Sequence, residues 1–420
     1  METQEYIDEM IEFQEKVLEF IDGEEDGLSF DELSNYMDTF EIQEILKGFI
    51  EFLHFLVKLT NNHHRTPEFF PRIQQIIAHF KDPIKENLTN SEIFNIFQSN
   101  KPILLFLIKE GILIPDQNIA DQISNEFFRA AKYLHYFYPE FKDFINDKKV
   151  KEEVENIINN ENLEKFETSR QKGENDDILS TIIQNDSIDD FITYINSSSI
   201  PFSTTIEPTI YESNSFLFNK SPCLIEYASF YGSIQIFKYL YINKAEMTPS
   251  IWLYAIHGRN PELIHLLEEK KIYTSCFKIT KDLTISDYYI EAIKCHHNEL
   301  ADYIQNNLIQ YEQINEDDVR FNSLKHYNYS FFPEDLNNDT SFFYLCQFGY
   351  PQLVRIILKT GNININARII LIFKIFNTIS INFLNTVSFN FFVNFVSKSI
   401  FFSIAFQLLK LFYQVQNQIF

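Results

Sequence analysis

The chain has 420 residues, 45% hydrophobic and 22% charged, a globular composition with apolar material for two or three structural units. Its formal net charge of −24 sets it against nucleic-acid phosphates and anionic lipid headgroups, and no Lys/Arg cluster reverses this locally, so nucleic acid is excluded as a general partner. Nine glycines leave little room for phosphate-cradling loops, which need Gly for close backbone approach and positive φ.

Residues 1–170 read as an N-terminal helical domain. In Tyr6-Ile7, Met10-Ile11, Phe13-Gln14 and Val17-Leu18 the apolar positions recur every three or four residues, one stripe of a helix. The segment from Asp22 to Leu33 invites a calcium-loop reading. Counting from Asp22, Gly27 falls at position 6, but Glu32 falls at 11, where a bidentate Glu is needed at 12. An acidic interhelical turn is the expectation there. Further helical runs cover Ile42–Leu59, Phe69–Phe80, Ile93–Ile108 and Phe127–Phe137, punctuated by Thr66-Pro67, Asp82-Pro83 and Ile114-Pro115-Asp116. Lys148–Arg170 is charged and helix-prone without a strong apolar face, as a surface helix would be. Residues 196–222, with Ser197-Ser198-Ser199, Pro201 and Pro208, read as a long exposed insertion between helices.

Internal repeats follow. Four segments align on a small or apolar anchor at Ala228, Ala255, Ala292 and Leu345. Four residues after each anchor come Gly232, Arg259, His296 and Gly349. Apolar pairs recur eight and nine residues on (Ile236-Phe237, Leu263-Ile264, Leu300-Ala301, Leu353-Val354) and again one turn later (Tyr239-Leu240, Leu266-Leu267, Tyr303-Ile304, Ile356-Ile357). A short helix, a turn and a second helix fit all four, and a fainter copy centres on Ile183. A small anchor lets two helices approach closely, and the turn favours Gly because a left-handed residue costs other side chains energy. One pair cannot bury its own apolar face, so several must stack.

This pattern resembles the ankyrin repeat, whose second half runs roughly A-A-x-x-G-H-x-x-V-V-x-L-L. Ala228–Leu240 and Leu345–Val354 carry the likeness, and Thr360-Gly361-Asn362-Ile363-Asn364 is similar to the family's finger. More narrowly, the chain resembles the divergent ankyrin-repeat family of trichomonad protists, which includes domains of unknown function. Ser221–Leu240, Thr248–His265, Cys295–Leu300 and the N-terminal Asn61–Pro67 carry that likeness. The resemblance implies an all-α protein with an irregular repeat solenoid over 171–368, no catalytic activity, and a concave face that binds a protein partner. The groove-facing positions it implies include Phe230, Tyr231, His257, Lys294, Gln347 and Phe348. Two departures stand out: Arg259 and His296 replace the turn glycine, and the anchor spacings are 27, 37 and 53 residues against the usual 33 or so. An extra or distorted element is therefore expected within 305–340.

No catalytic motif is present, and no cofactor is expected. His63-His64 and Cys295-His296-His297 suggest metal, but zinc needs four convergent ligands and adjacent histidines point to different faces of a helix, so no metal is expected either. Cys223, Cys276, Cys295 and Cys346 lie far apart and read as reduced thiols. The acidic start, Met1-Glu2-Thr3-Gln4-Glu5, lacks a secretory pattern, so the expected compartment is the cytoplasm.

Residues 369–420 form a Phe/Ile-rich tail. Its stretch 391–412 approaches bilayer-spanning length but is diluted by Asn394, Lys398, Gln407 and Lys410. Capping helices or an atypical end are expected ahead of an anchor. The leading functional expectation is an interaction module of unknown partner. Its rivals are a membrane-anchored adaptor and an enzyme with a site among the N-terminal helices.

Overall fold

The computed structural model describes residues 2–23, 27–39, 48–125, 128, 132–145, 147–218, 220–272, 283–309 and 314–359. Among these the fold is all-α: the regular elements are helices, and the extended pairing recorded is an isolated bridge between Thr205 and Cys223. The tail at 360–420, including 391–412, lies outside the described residues, and no described helix is long and apolar enough to cross a membrane.

The first helix, Glu2–Asp22, buries Tyr6, Met10, Phe13, Val17 and Phe20, the stripe seen in its spacing. Phe49–Asn62 buries Phe49, Phe52, Leu53, Phe55, Leu56, Val57 and Leu59, too broad a face for a surface helix, and forms the centre of the N-terminal unit. The run Ile93–Ile108 is two helices, Asn90–Phe97 and Lys101–Lys109. Asn100 divides them: its side chain caps the second by accepting from the Ile103 N–H at 3.1 Å, and Pro102 follows in the first turn. Lys148–Arg170 is likewise cut at Asn162, which has φ 64 and caps the helix Leu163–Lys172. Its Val150, Val154 and Phe166 are buried, so the stretch contributes to the core despite its charge.

Six helices then form a row, each packed on the next: Ile178–Gln184, Leu224–Phe230, Ile251–Gly258, Ile285–Lys294, Glu316–His326 and Asp339–Phe348. All six end in a residue of left-handed conformation: Asp186 (φ 48), Gly232 (66), Arg259 (49), His296 (57), Tyr327 (59) and Gly349 (85). Five close with the bond that defines a Schellman turn. Ser187, Ser233, His297, Asn328 and Tyr350 donate their N–H to the carbonyls of Ile182, Ala228, Ala292, Ser323 and Leu345 at 2.9–3.1 Å. The faint first copy is therefore real, with its anchor at Ile182, one residue before the expected Ile183. The 53-residue gap is explained by a copy anchored on the buried Ser323, whose second helix is reduced to a 3-10 turn at Tyr329–Phe331.

Five of the six are followed by a second helix packed on the first: Ile188–Ser198, Ile234–Ile242, Pro261–Glu269, Asn298–Asn307 and Pro351–Lys359. Neighbouring copies are tied by polar side chains. Asp186 accepts from the N–H groups of Gln235 and Ile236, both at 3.0 Å, and so caps the next copy's second helix. Gly258 permits the closest backbone approach: a Cβ there would lie 2.1 Å from the Ser229 carbonyl oxygen.

Two apolar cores result. One is built from residues 179–308, while the last copies, from Leu324 to Ile357, share the core of the N-terminal helices. The first helix packs on the last, Pro351–Lys359. Glu51, fully buried, fastens this closure by accepting from the Tyr6 hydroxyl at 2.6 Å, the Tyr329 hydroxyl at 3.0 Å and the Gln352 N–H at 2.9 Å.

Candidate functional site

The turns of the row meet the chain's own N-terminal unit. From its middle onward, the helix Phe49–Asn62 and the residues just after it lie along the turns of the later copies. His54 stacks on Tyr327 with ring centroids 5.6 Å apart, Phe55 meets the His296 ring edge-on at 5.3 Å, and Asn62 approaches His326. His63 bonds the Cys295 carbonyl through Nδ1 at 2.7 Å and Asp22 through Nε2 at 2.8 Å. His64 reaches the His257 carbonyl at 3.0 Å, and Arg65 donates to that of Gly173 at 3.2 Å. Asp22 also pairs with the turn residue Arg259. Seven of the ten histidines thus gather at one junction, brought there from three distant stretches of sequence.

Burial governs the protonation of this junction. It pushes His54 and His296 down to about 3 and His64 to about 4, with Lys58 adding to the effect at His54. His297 and His326 are held well below the ordinary imidazole range by the same cause. Burial would raise Asp22, but its hydrogen bond and charge pairing with His63, reinforced by Arg259, hold it well below the usual carboxylate range.

Four of the six groove-facing residues expected from the sequence come together here. Phe230 and His257 stack at 5.1 Å, and Phe216, from the insertion, closes on both, with its centroid 4.3 Å from His257. His257 Nε2 lies 3.0 Å from Glu291 Oε1, and Lys294 Nζ lies 3.1 Å from Glu291 Oε2. Tyr231, half-buried, packs on Phe230 and Tyr227. Phe230 and His257 are buried, with the insertion's Phe216 lying over them. Gln347 and Phe348 lie apart, half-buried at the last turn, where Phe348 contacts Phe321 and Tyr344 and its carbonyl accepts from the Tyr327 hydroxyl.

The insertion is therefore not wholly exposed. Its first part runs over the surface, but Ile210, Tyr211, Glu212, Ser213 and Asn214 are buried. Lys101, itself buried, donates to the carbonyls of Ile210 at 2.9 Å and Glu212 at 3.2 Å.

The junction also holds a cluster that the sequence reading missed. His257, Glu291 and Cys295 bring one nitrogen, one carboxylate oxygen and one sulfur within 4.8 Å of one another. Glu291 and Cys295 are four residues apart on one helical face, a spacing legible in the sequence. His257 comes from the preceding copy. Among the N-terminal helices, one pocket is lined by Phe94, Leu104, Ile119, Phe137 and other apolar side chains, which offer no acid, base or nucleophile.

Fold and junction together define an all-helical protein whose row of turns is covered by its own N-terminal helices and insertion. In comparisons with known proteins, no family model, curated protein or solved structure matches this chain.

Proposed function

We propose that the chain is a protein–protein interaction module built on a divergent ankyrin-like array, without catalytic activity or an organic cofactor of its own. The observation that carries this reading is that residues beside the turns already grip other segments of the chain, the insertion nearby and the N-terminal unit about 200 residues away. Phe230 and His257 hold Phe216, and the carbonyls of His257 and Cys295 take His64 and His63. A row of turns that binds side chains of other segments of the chain has the chemistry to bind those of another protein. In this reading the protein acts in the cytoplasm, and its charge of −24 favours a protein partner over nucleic acid.

With the deeper groove positions filled, partner contacts fall to the half-buried Tyr231, Lys294, Gln347 and Phe348. The test is affinity capture by the full-length protein from its native cells, followed by mass spectrometry. A second bait carries Lys294→Ala, Gln347→Ala and Phe348→Ala together. The reading expects partners retained by the first bait and lost from the second. Identical retention by both would dismiss the groove, and a bait that keeps nothing above background would dismiss the interaction module.

A further inference from the structure

We propose that His257, Glu291 and Cys295 form a binding site for a divalent transition-metal ion of the zinc class, clipping the third copy of the row to the fourth. The three residues supply an imidazole nitrogen, a carboxylate oxygen and a thiol sulfur, the donor set that zinc prefers. Zinc bonds of about 2.0–2.3 Å to such atoms, arranged tetrahedrally, place the donors roughly 3.3–3.8 Å apart. Here Nε2 and Oε1 are 3.0 Å apart, Nε2 and Sγ are 3.7 Å apart, and all three atoms fall within 4.8 Å. Sγ is nearly equidistant from the two ring nitrogens, 3.6 and 3.7 Å, so the imidazole must turn about its Cβ–Cγ bond to aim Nε2 at the ion. The sulfur and the carboxylate need little movement, since one helical face presents both.

The surroundings are those of a metal site. Lys294 holds the second carboxylate oxygen at 3.1 Å and fixes the orientation of Glu291. Phe216 and Phe230 flank the imidazole and keep bulk water from it, and the liganding side chains are buried. Three protein donors leave a fourth position for water. Binding displaces the thiol proton of Cys295 to solvent as the metal–sulfur bond forms, together with the Nε2 proton of His257 where the imidazole carries one there, so affinity rises with pH. Lys294 and Lys220, which sits 3.2 Å over the Phe216 ring, oppose the incoming charge and moderate the affinity.

The experiment uses the purified full-length protein, stripped with chelator and titrated with Co2+ and then Zn2+. The expected result is one equivalent of Co2+ bound with a thiolate-to-cobalt charge-transfer band and the visible bands of tetrahedral cobalt, both abolished by Zn2+. In Cys295→Ser the charge-transfer band disappears, and in Glu291→Gln the affinity falls at least about tenfold. Circular dichroism establishes that each variant remains helical. A wild-type titration without a thiolate band overturns the site by itself and leaves His257–Glu291 as a buried hydrogen-bonded pair with Cys295 as a packing residue. A band that persists in Cys295→Ser assigns the metal to another cysteine and overturns the proposal equally.

Discussion

At the scale of single residues, two buried charges carry more consequence than their neighbours. Glu51 satisfies donors from three separate elements, so its removal strands the hydroxyls of Tyr6 and Tyr329 and the Gln352 N–H together. Glu51→Ala is expected to cost on the order of 3 kcal/mol or more in chemical denaturation, against about 1 kcal/mol for Tyr6→Phe, which breaks one bond. Equal costs would mean that the three contacts do not act as a unit. Lys101 is the second case. Burial, the largest influence, draws it down to about 7, although Glu212 pulls the other way. In the unfolded chain it titrates near 10.4, so between about 7 and 10 the unfolded state binds more protons. The charge penalty is thus fully present below pH 7 and is relieved as pH rises, by up to about 1.4 kcal/mol per pH unit. Lys101→Met removes this dependence along with the two hydrogen bonds to the insertion. The stability gap between wild type and variant should therefore widen in favour of wild type from pH 7 to pH 9, and a constant gap would refute the assignment.

At the scale of elements, the row depends on close approach and on shared caps. An added methyl at Gly258 meets a backbone carbonyl, which cannot swing aside as a side chain can. Gly258→Ala should therefore destabilise by several kcal/mol, about the range of core overpacking, despite alanine's better helix propensity. Replacing Asp186 by Ala uncaps the helix Ile234–Ile242 of the neighbouring copy, and a loss of about 1–2 kcal/mol is expected in thermal or denaturant unfolding. A loss below 0.5 kcal/mol or so would show that water replaces the cap. These features also mark what could be read beforehand. The helix pairs on Ala228, Ala255, Ala292 and Leu345 were legible because anchor, turn and paired apolar residues keep a constant local spacing. The Ser323 copy was not, since Tyr329–Phe331 replaces its second helix and removes the apolar pairs by which such a copy is recognised. Gly232 and Gly349 announced their turns, whereas Arg259, His296 and Tyr327 hold the same conformation against their own steric preference. The junction lay beyond sequence reasoning for a different reason. His63 and Phe216 reach Cys295 and His257 through tertiary folding, and no periodicity records a contact across 232 residues.

For the whole molecule, the N-terminal helices and the row cohere across a surface dense in histidine, and burial opposes the charging of His54, His64, His296, His297 and His326, which makes the closure sensitive to acid. His54 and His326 are the clearest pair. His54 lies against Tyr327 and beside Lys58, while His326 faces Asn62 with Lys58, Lys294 and Lys325 around it. Burial first, and then these lysines, depress both imidazoles, His54 to about 3. In the unfolded chain each titrates near 6.5, so between that value and the folded one the unfolded state binds more protons. Their contribution is fully present above pH 6.5 and is lost as pH falls toward 3. Glu51 and Glu212 work in the opposite sense, because burial raises both and a carboxyl that protonates more readily when folded gains stability on acidification. A bare stability curve mixes the two effects, so the histidines must be isolated by difference. His54→Phe keeps the stacking on Tyr327, and His326→Gln keeps a partner for Asn62. From pH 7 to pH 5 the wild type should lose stability more steeply than this double variant, by roughly 1–2 kcal/mol per pH unit, below the full value for two groups because His54 is half-buried. Urea denaturation of both proteins at four pH values measures the slopes, and parallel slopes would mean that acid acts elsewhere than at this junction.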